Sequence, residues 1–297
     1  MQQLGRLLTA MVTPFDEKGE VDYAQARKLA RALLQSGSDG VLVSGTTGES
    51  PTLTSDEKLR LFGEIKDEVG NLGAVVAGTG NYSTRETTEF TKEAEKIGVD
   101  ACLLVVPYYN KPTQEGMYQH FSTIAAATSL PCIMYNVPGR TSSNLASETV
   151  IRLSKVDNIV GVKEASANFH QISEIIDGVG DDFLVYSGND GDTLLLMALG
   201  GYGVVGVITH LVGAQTKDMI NLFLAGKTSE AAVIHRHLLP LVDSMFQIAN
   251  PIPLKYAMNL LGFRVGGTRL PLCEVDEKTA SAIAATLKNY KIDLPLV

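Results

Sequence analysis

Read from its N-terminus, the chain alternates between short apolar runs and longer stretches in which apolar residues recur every three to four positions. The runs are LLTAMVTP (7–14), DGVLVSG (39–45), GAVVAGTG (73–80), DACLLVVPYY (100–109), LPCIMYNVP (130–138), NIVGVKEAS (158–166), DFLVYSGND (182–190) and YGVVGVITH (202–210). Most lie roughly 20 to 35 residues apart and are apolar almost without interruption, the pattern of parallel strands buried on both faces. The stretches between them carry helix punctuation. Asp22 precedes YAQARKLARALLQSG, in which Ala26, Leu29, Ala30, Leu33 and Leu34 share one face; Gln25 stands at capping-box distance and Gly37 suits the stop. Thr54 with Glu57 and Ser83 with Glu86 open two further helices in the same way.

Eight strand–helix units predict a closed (β/α)₈ barrel, the TIM-barrel architecture. The alternative, an open doubly wound sheet, has no support from its usual ligand motifs: no GxGxxG follows the first strand and no GxxxxGK[ST] occurs. The barrel pattern is spent by about residue 224. The remainder (225–297) contains SEAAVIHRHLLPLVDSMF, PIPLKYAMNLLGF and DEKTASAIAATLKNY, and reads as a C-terminal helical extension packed on the barrel.

Composition narrows the function classes. Hydrophobic residues make up 45% of the 297 and charged residues 20%, too apolar a balance for a disordered chain. A formal charge of −8 without clustered Lys and Arg argues against a nucleic-acid partner. No segment reaches the roughly 18 apolar residues that cross a bilayer, and MQQLGRLLTAMVTPFDEKG lacks a secretion-signal layout. Cys102, Cys132 and Cys273 are odd in number and far apart in sequence, unlike a disulfide framework or a zinc site. The expectation is a cytoplasmic protein in a reducing compartment, without membrane association.

In a barrel of this kind, chemistry sits at the C-terminal ends of the strands. Those ends are rich in hydroxyls and poor in metal ligands, and none of the five histidines forms an HxH or HExxH arrangement with nearby carboxylates; no metal is expected. Lys163 stands out, because a lysine within the buried run IVGVKEAS carries a desolvation cost that lowers its pKa and frees an amine able to attack a carbonyl. The plainer reading is a strand-end lysine that reaches solvent or pairs with Glu164. Tyr135 offers a proton relay, or else a core aromatic with a satisfied hydroxyl. GTTGE (45–49) offers backbone N–H groups for a carboxylate, or a simple capping turn. Arg140 offers a fork for a second carboxylate, or a surface ion pair.

Taken together, GTTGES (45–50), VVPYYNKP (105–112), YNVPGRT (135–141), GVKEAS (161–166), SGND (187–190) and NPIPLKYA (250–257) resemble, in order and spacing, the dihydrodipicolinate synthase branch of the N-acetylneuraminate lyase superfamily, over essentially the whole chain. The resemblance implies a lyase that condenses pyruvate with L-aspartate 4-semialdehyde, giving 4-hydroxy-tetrahydrodipicolinate on the route to lysine and diaminopimelate, with no cofactor. It implies that Lys163 forms the imine, that Tyr135 relays protons, and that Thr46 links it to Tyr109, which reaches in from a neighbouring subunit. It further implies that Thr46 and Thr47 hold the pyruvate carboxylate, that Arg140 meets the aldehyde's carboxylate, and that Gly188 and Val205 line the site. Relatives are usually homotetramers, dimers of dimers. Sibling aldolases that cleave a sialic acid or a 2-keto-3-deoxy sugar acid share the lysine and tyrosine but usually lack the arginine after VPG; a non-catalytic barrel would not need either residue. In lysine-inhibited relatives an allosteric cleft carries two histidines and an asparagine. The corresponding positions here are Ser55, Lys58 and Tyr82, beside Ser50, Glu86 and Tyr108, and weak or absent inhibition by lysine is expected.

Overall fold

The structure is a computed structural model and describes residues 4–295. Eight parallel strands close on themselves in chain order: β1 (Leu7–Ala10), β2 (Gly40–Val43), β3 (Ala74–Gly78), β4 (Ala101–Val105), β5 (Cys132–Asn136), β6 (Ile159–Glu164), β7 (Leu184–Ser187) and β8 (Gly203–Gly206), with β8 pairing back to β1. Each lies inside one of the eight apolar runs. The strands are shorter than the runs because the polar tails leave the ladder to form the loops at its C-terminal rim.

Helices return the chain between strands: α1 (Tyr23–Gln35), α2 (Ser55–Val69), α3 (Thr84–Ile97), α4 (Gln114–Ala125), α5 (Pro138–Thr141), α6 (Ser147–Leu153), α7 (Phe169–Gly178) and α8 (Thr193–Ala198); α9 (Thr209–Leu224) follows β8. The three expected N-caps are present but not equivalent. Thr54 and Glu57 form a reciprocal box, with Glu57 N donating to Thr54 Oγ1 (3.2 Å) and Thr54 N to Glu57 Oε2 (2.8 Å). Asp22 and Ser83 cap by their own side chains only; the Glu86 carboxylate accepts from Asn81 Nδ2 instead. After α9 the chain is helical, in α10 (Thr228–Phe246), α11 (Ile252–Leu260) and α12 (Glu277–Leu287). No helix among the described residues is long and apolar enough to cross a membrane.

Strand alternation sorts the core into two layers. Leu8, Leu42, Val76, Leu103, Ile133 and Val205 fill the barrel interior, while Val41, Val75, Leu104, Met134, Val162 and Val185 meet the helices. Cys102 and Cys132, distant in sequence, are register partners on β4 and β5 in this outer layer; their sulfurs stand 3.4 Å apart as free thiols. Cys273 is exposed.

Candidate active site

On β6 the residue preceding Glu164 points into the barrel. Lys163 is in register with Tyr135 of β5 and Tyr186 of β7, and its Nζ lies 4.2 Å from the centre of the Tyr135 ring. Lys163 is only 5% exposed and makes no ion pair with Glu164. Alternation sends Glu164 to the other face, where its carboxylate accepts from Asn136 Nδ2 (3.0 Å), Ser166 N (2.7 Å) and Gln171 Nε2 (3.3 Å). Burial lowers the Lys163 pKa to about 8; the Asp190 carboxylate opposes the fall and Arg140 adds to it. At that value about a tenth of the molecules hold a neutral amine at pH 7, against a few in ten thousand for an ordinary lysine.

The surroundings support the amine without neutralising it. Asp190 is itself buried and accepts from the backbone N–H of Val207 (2.9 Å) and Ile208 (3.1 Å); burial pushes its carboxyl up to about 6 in spite of these bonds. Gly188 follows β7, and a Cβ there would stand 3.2 Å from Lys163 Cε and 2.7 Å from Ala165 Cβ, so a side chain at this position would press on the lysine's tail. Val205 belongs to the interior layer, two residues beyond Gly203, the register partner of Tyr186. Burial raises the Tyr135 phenol, while Arg140 and a hydrogen bond with the Thr46 side chain pull it back.

The GTTGE segment closes the C-terminal end of β2. Glu49 N donates to Thr46 O (3.1 Å), Ser50 N donates to Gly45 O (3.2 Å), and Thr13 Oγ1 donates to Gly48 O (2.7 Å). Among the described residues, the backbone N–H groups of Thr46 and Thr47 have no acceptor within the chain. Two adjacent unpaired N–H groups beside two hydroxyls form a ready cradle for a carboxylate. Thr46, Tyr135 and Arg140 line one cleft of about 370 Å³. Arg140, in the short helix α5, makes no ion pair among the described residues.

Not every expected residue joins this group. Tyr109 is 92% exposed with φ 71°, and does not line the cleft. Ser50, Lys58, Tyr82 and Tyr108 line the same cleft as Thr46. Ser55, Lys58 and Glu86 line an adjoining cavity of about 460 Å³. Lys58 therefore borders both spaces.

Residues outside the expected set also bear on the site. Glu49, wholly buried, meets Lys255 of α11, and Asn250 meets Thr47. The signal was a lysine inside the apolar run PIPLKYAMNLL, recognisable as unusual but without a partner in sight.

Comparison with known proteins agrees with this geometry. The family model described as dihydrodipicolinate synthetase family matches residues 3–290. A 4-hydroxy-tetrahydrodipicolinate synthase of Dehalococcoides mccartyi is 63% identical over 296 residues, covering 100% of both chains. A crystal structure of dihydrodipicolinate synthase from Bacillus anthracis superposes with a TM-score of 0.96 at 44% identity, covering 98% of this chain and 100% of that one. A chloride-inhibited dihydrodipicolinate synthase from Acinetobacter baumannii, complexed with pyruvate, gives 0.94 at 37% identity, covering 97% and 99%. With the barrel, the buried amine and the matched length in agreement, the chain belongs to the dihydrodipicolinate synthetase family.

Proposed function

We propose that the chain condenses pyruvate with L-aspartate 4-semialdehyde to give 4-hydroxy-tetrahydrodipicolinate through an imine on Lys163. The observation that carries the reading is the desolvated Lys163 amine, held against Tyr135 in a barrel of this family. The neutral amine adds to the C2 carbonyl of pyruvate, and water leaves as the imine forms. The imine draws electrons from the methyl group, which loses a proton to give an enamine. The enamine carbon then bonds to the aldehyde carbon of the semialdehyde. The amino group of that substrate displaces Lys163 Nζ from C2, which closes the ring and restores the free lysine; one water is lost overall.

The other residues fit roles in that sequence. Tyr135 and Thr46 carry protons at the carbinolamine stage. The Thr46 and Thr47 N–H groups and hydroxyls hold the pyruvate carboxylate, and Arg140 meets the carboxylate of the incoming aldehyde with a planar fork. The exposed, left-handed Tyr109 and the edge-to-face pair Tyr82–Tyr108 (5.1 Å) favour a second copy covering this face, with Tyr109 completing the partner's proton relay and paired dimers forming a tetramer. Residues 1–224 then serve as the catalytic barrel and 225–297 as a helical extension, in a cytoplasmic enzyme.

Borohydride reduction with pyruvate, followed by peptide mass analysis, tests the imine, with semialdehyde consumption assayed in parallel. A pyruvate adduct on Lys163 with rapid consumption is expected. An adduct without consumption would transfer the function to a sibling aldolase, and no adduct would overturn the imine.

A further inference from the structure

NPIPLKYA (250–257) belongs to the sequence signature, yet the chemistry above gives it no task. Although Asn250 is 203 residues from Thr47, this segment grips the GTTGE turn from its far side. Asn250 Nδ2 donates to Thr47 Oγ1 at 2.9 Å. Lys255 Nζ lies 2.7 Å from Glu49 Oε1, with the two side chains 2% and 0% exposed. Arg269 N donates to Glu49 Oε2 at 2.9 Å.

A buried ion pair adds little net stability, because desolvation of both charges offsets their attraction; its strength is in fixing position. Glu49 directly follows the threonine pair and Gly48, and its backbone is left-handed (φ 56°). Lys255 is held in turn by Gly267 O (2.7 Å) and lies 4.1 Å from the centre of the Phe15 ring. The pair sets the register between the turn and the start of α11, and this register brings Asn250 opposite Thr47.

The direction of the Asn250 contact has a chemical consequence. A threonine hydroxyl has a single hydrogen, and an amide N–H can only donate. Thr47 Oγ1 therefore accepts from Asn250, and its own hydrogen is free to point elsewhere. Among the described residues no group accepts that hydrogen, and a bound carboxylate would.

We propose that Asn250 is a positioning residue: its amide fixes the Thr47 hydroxyl as a donor towards the carboxylate of the bound keto acid, with the Glu49–Lys255 pair holding the two segments in register. The inference rests on Thr47 being a ligand of that carboxylate. An accepted N–H···O bond also polarises the hydroxyl and strengthens the bond it donates.

The test is a double-mutant cycle of Thr47→Val and Asn250→Ala in the full chain. The readouts are the half-saturating pyruvate concentration in borohydride trapping without semialdehyde, the KM of each substrate, and the melting temperature. Each single variant is expected to raise half-saturating pyruvate about tenfold, the size of one lost hydrogen bond to a charged group, with a much smaller change in the semialdehyde KM. In the Thr47→Val background, Asn250→Ala is expected to have no further effect. If Thr47→Val leaves pyruvate binding unchanged, the carboxylate reading itself fails. If Thr47→Val weakens it and Asn250→Ala does not, or the two effects add in full, the positioning role is overturned. Should Asn250→Ala not fold, Asn250→Leu keeps about the same size, carries no N–H donor, adds no charge and answers the same question.

Discussion

Tyr135 and Lys163 are register partners on adjacent parallel strands, and the lysine's Nζ lies over the tyrosine ring at 4.2 Å from its centre. The ring gives the amine an apolar wall that also tolerates a cation, while the hydroxyl is the part able to move protons. The two contributions separate cleanly by mutation. Tyr135→Phe is expected to lower kcat roughly 10²- to 10⁴-fold, the range for loss of a positioned acid–base group. Borohydride trapping should still label Lys163, more slowly. Steady-state rates and peptide mass analysis of the same preparation check both, and an unchanged kcat would remove Tyr135 from the proton relay.

The lowered pKa of Lys163 gives a pH dependence. Only the neutral amine attacks a carbonyl, so the rate of adduct formation should climb about tenfold per unit below pH 8 and level off above it. Asp190 and Arg140 are the charges that act on this amine, with opposite signs. Asp190→Asn removes the group that favours the ammonium, and the midpoint should move to lower pH. Stopped-flow or quenched trapping across pH 6–10 measures it (~1 unit steps suffice); a rise continuing to the ordinary lysine range would contradict the buried, depressed amine.

The same shift is a stability cost. Between the folded value of about 8 and the unfolded 10.5, the unfolded chain binds more protons, so stability rises with pH through that window; at pH 7 both states are protonated and the folded state carries the full cost. Lys163→Met abolishes activity but relieves this cost. It is expected to stabilise the protein by about 2 to 3 kcal/mol at pH 7, or roughly 5 °C in melting temperature. The gain should shrink towards pH 10. Thermal melts of both proteins at the two pH values check the sign, and a destabilised variant at pH 7 would mean that the ammonium is better paired than the geometry indicates.

Tyr109 is expected to be covered in the assembled enzyme. Dilution into the dissociating range should reduce specific activity together with sedimentation coefficient, and Tyr109→Phe should lower kcat without altering the assembly. Activity that persists in the separated monomer would place the relay within one chain.

The sequence made the barrel legible for a physical reason. Strands buried on both faces must be apolar without a break, so each of the eight announces itself locally, and Lys163 was conspicuous because it interrupts such a run. What stayed hidden depends on contacts across the chain. That Glu164 turns away from Lys163 follows from strand alternation, but its acceptance of three side-chain and backbone donors requires α7 to be in place. Cys102 and Cys132 look unrelated until β4 and β5 pair. The counter-charge of Lys255, Glu49, belongs to a turn at the other end of the chain.

Lys58 bears on regulation. It is half-buried, burial lowers its pKa with Glu57 opposing, and no carboxylate lies within ion-pair reach among the described residues; the nearest π face is Phe90, with its ring centre 5.8 Å away. It lines the cleft together with Tyr82 and Tyr108, so a lysine molecule binding there would bring its ammonium groups towards a like charge. At about 4 Å that repulsion amounts to roughly 1 to 4 kcal/mol, one to three powers of ten in affinity. Millimolar lysine is therefore expected to leave the initial rate unchanged at neutral pH. Lys58→Gln removes the charge and should tighten whatever residual lysine binding calorimetry detects by about tenfold or more. Inhibition of the unaltered enzyme by millimolar lysine would show that the Glu86 side of the cleft outweighs the repulsion, and weaker binding in Lys58→Gln would mean that the effector's carboxylate, not its ammonium, faces this residue.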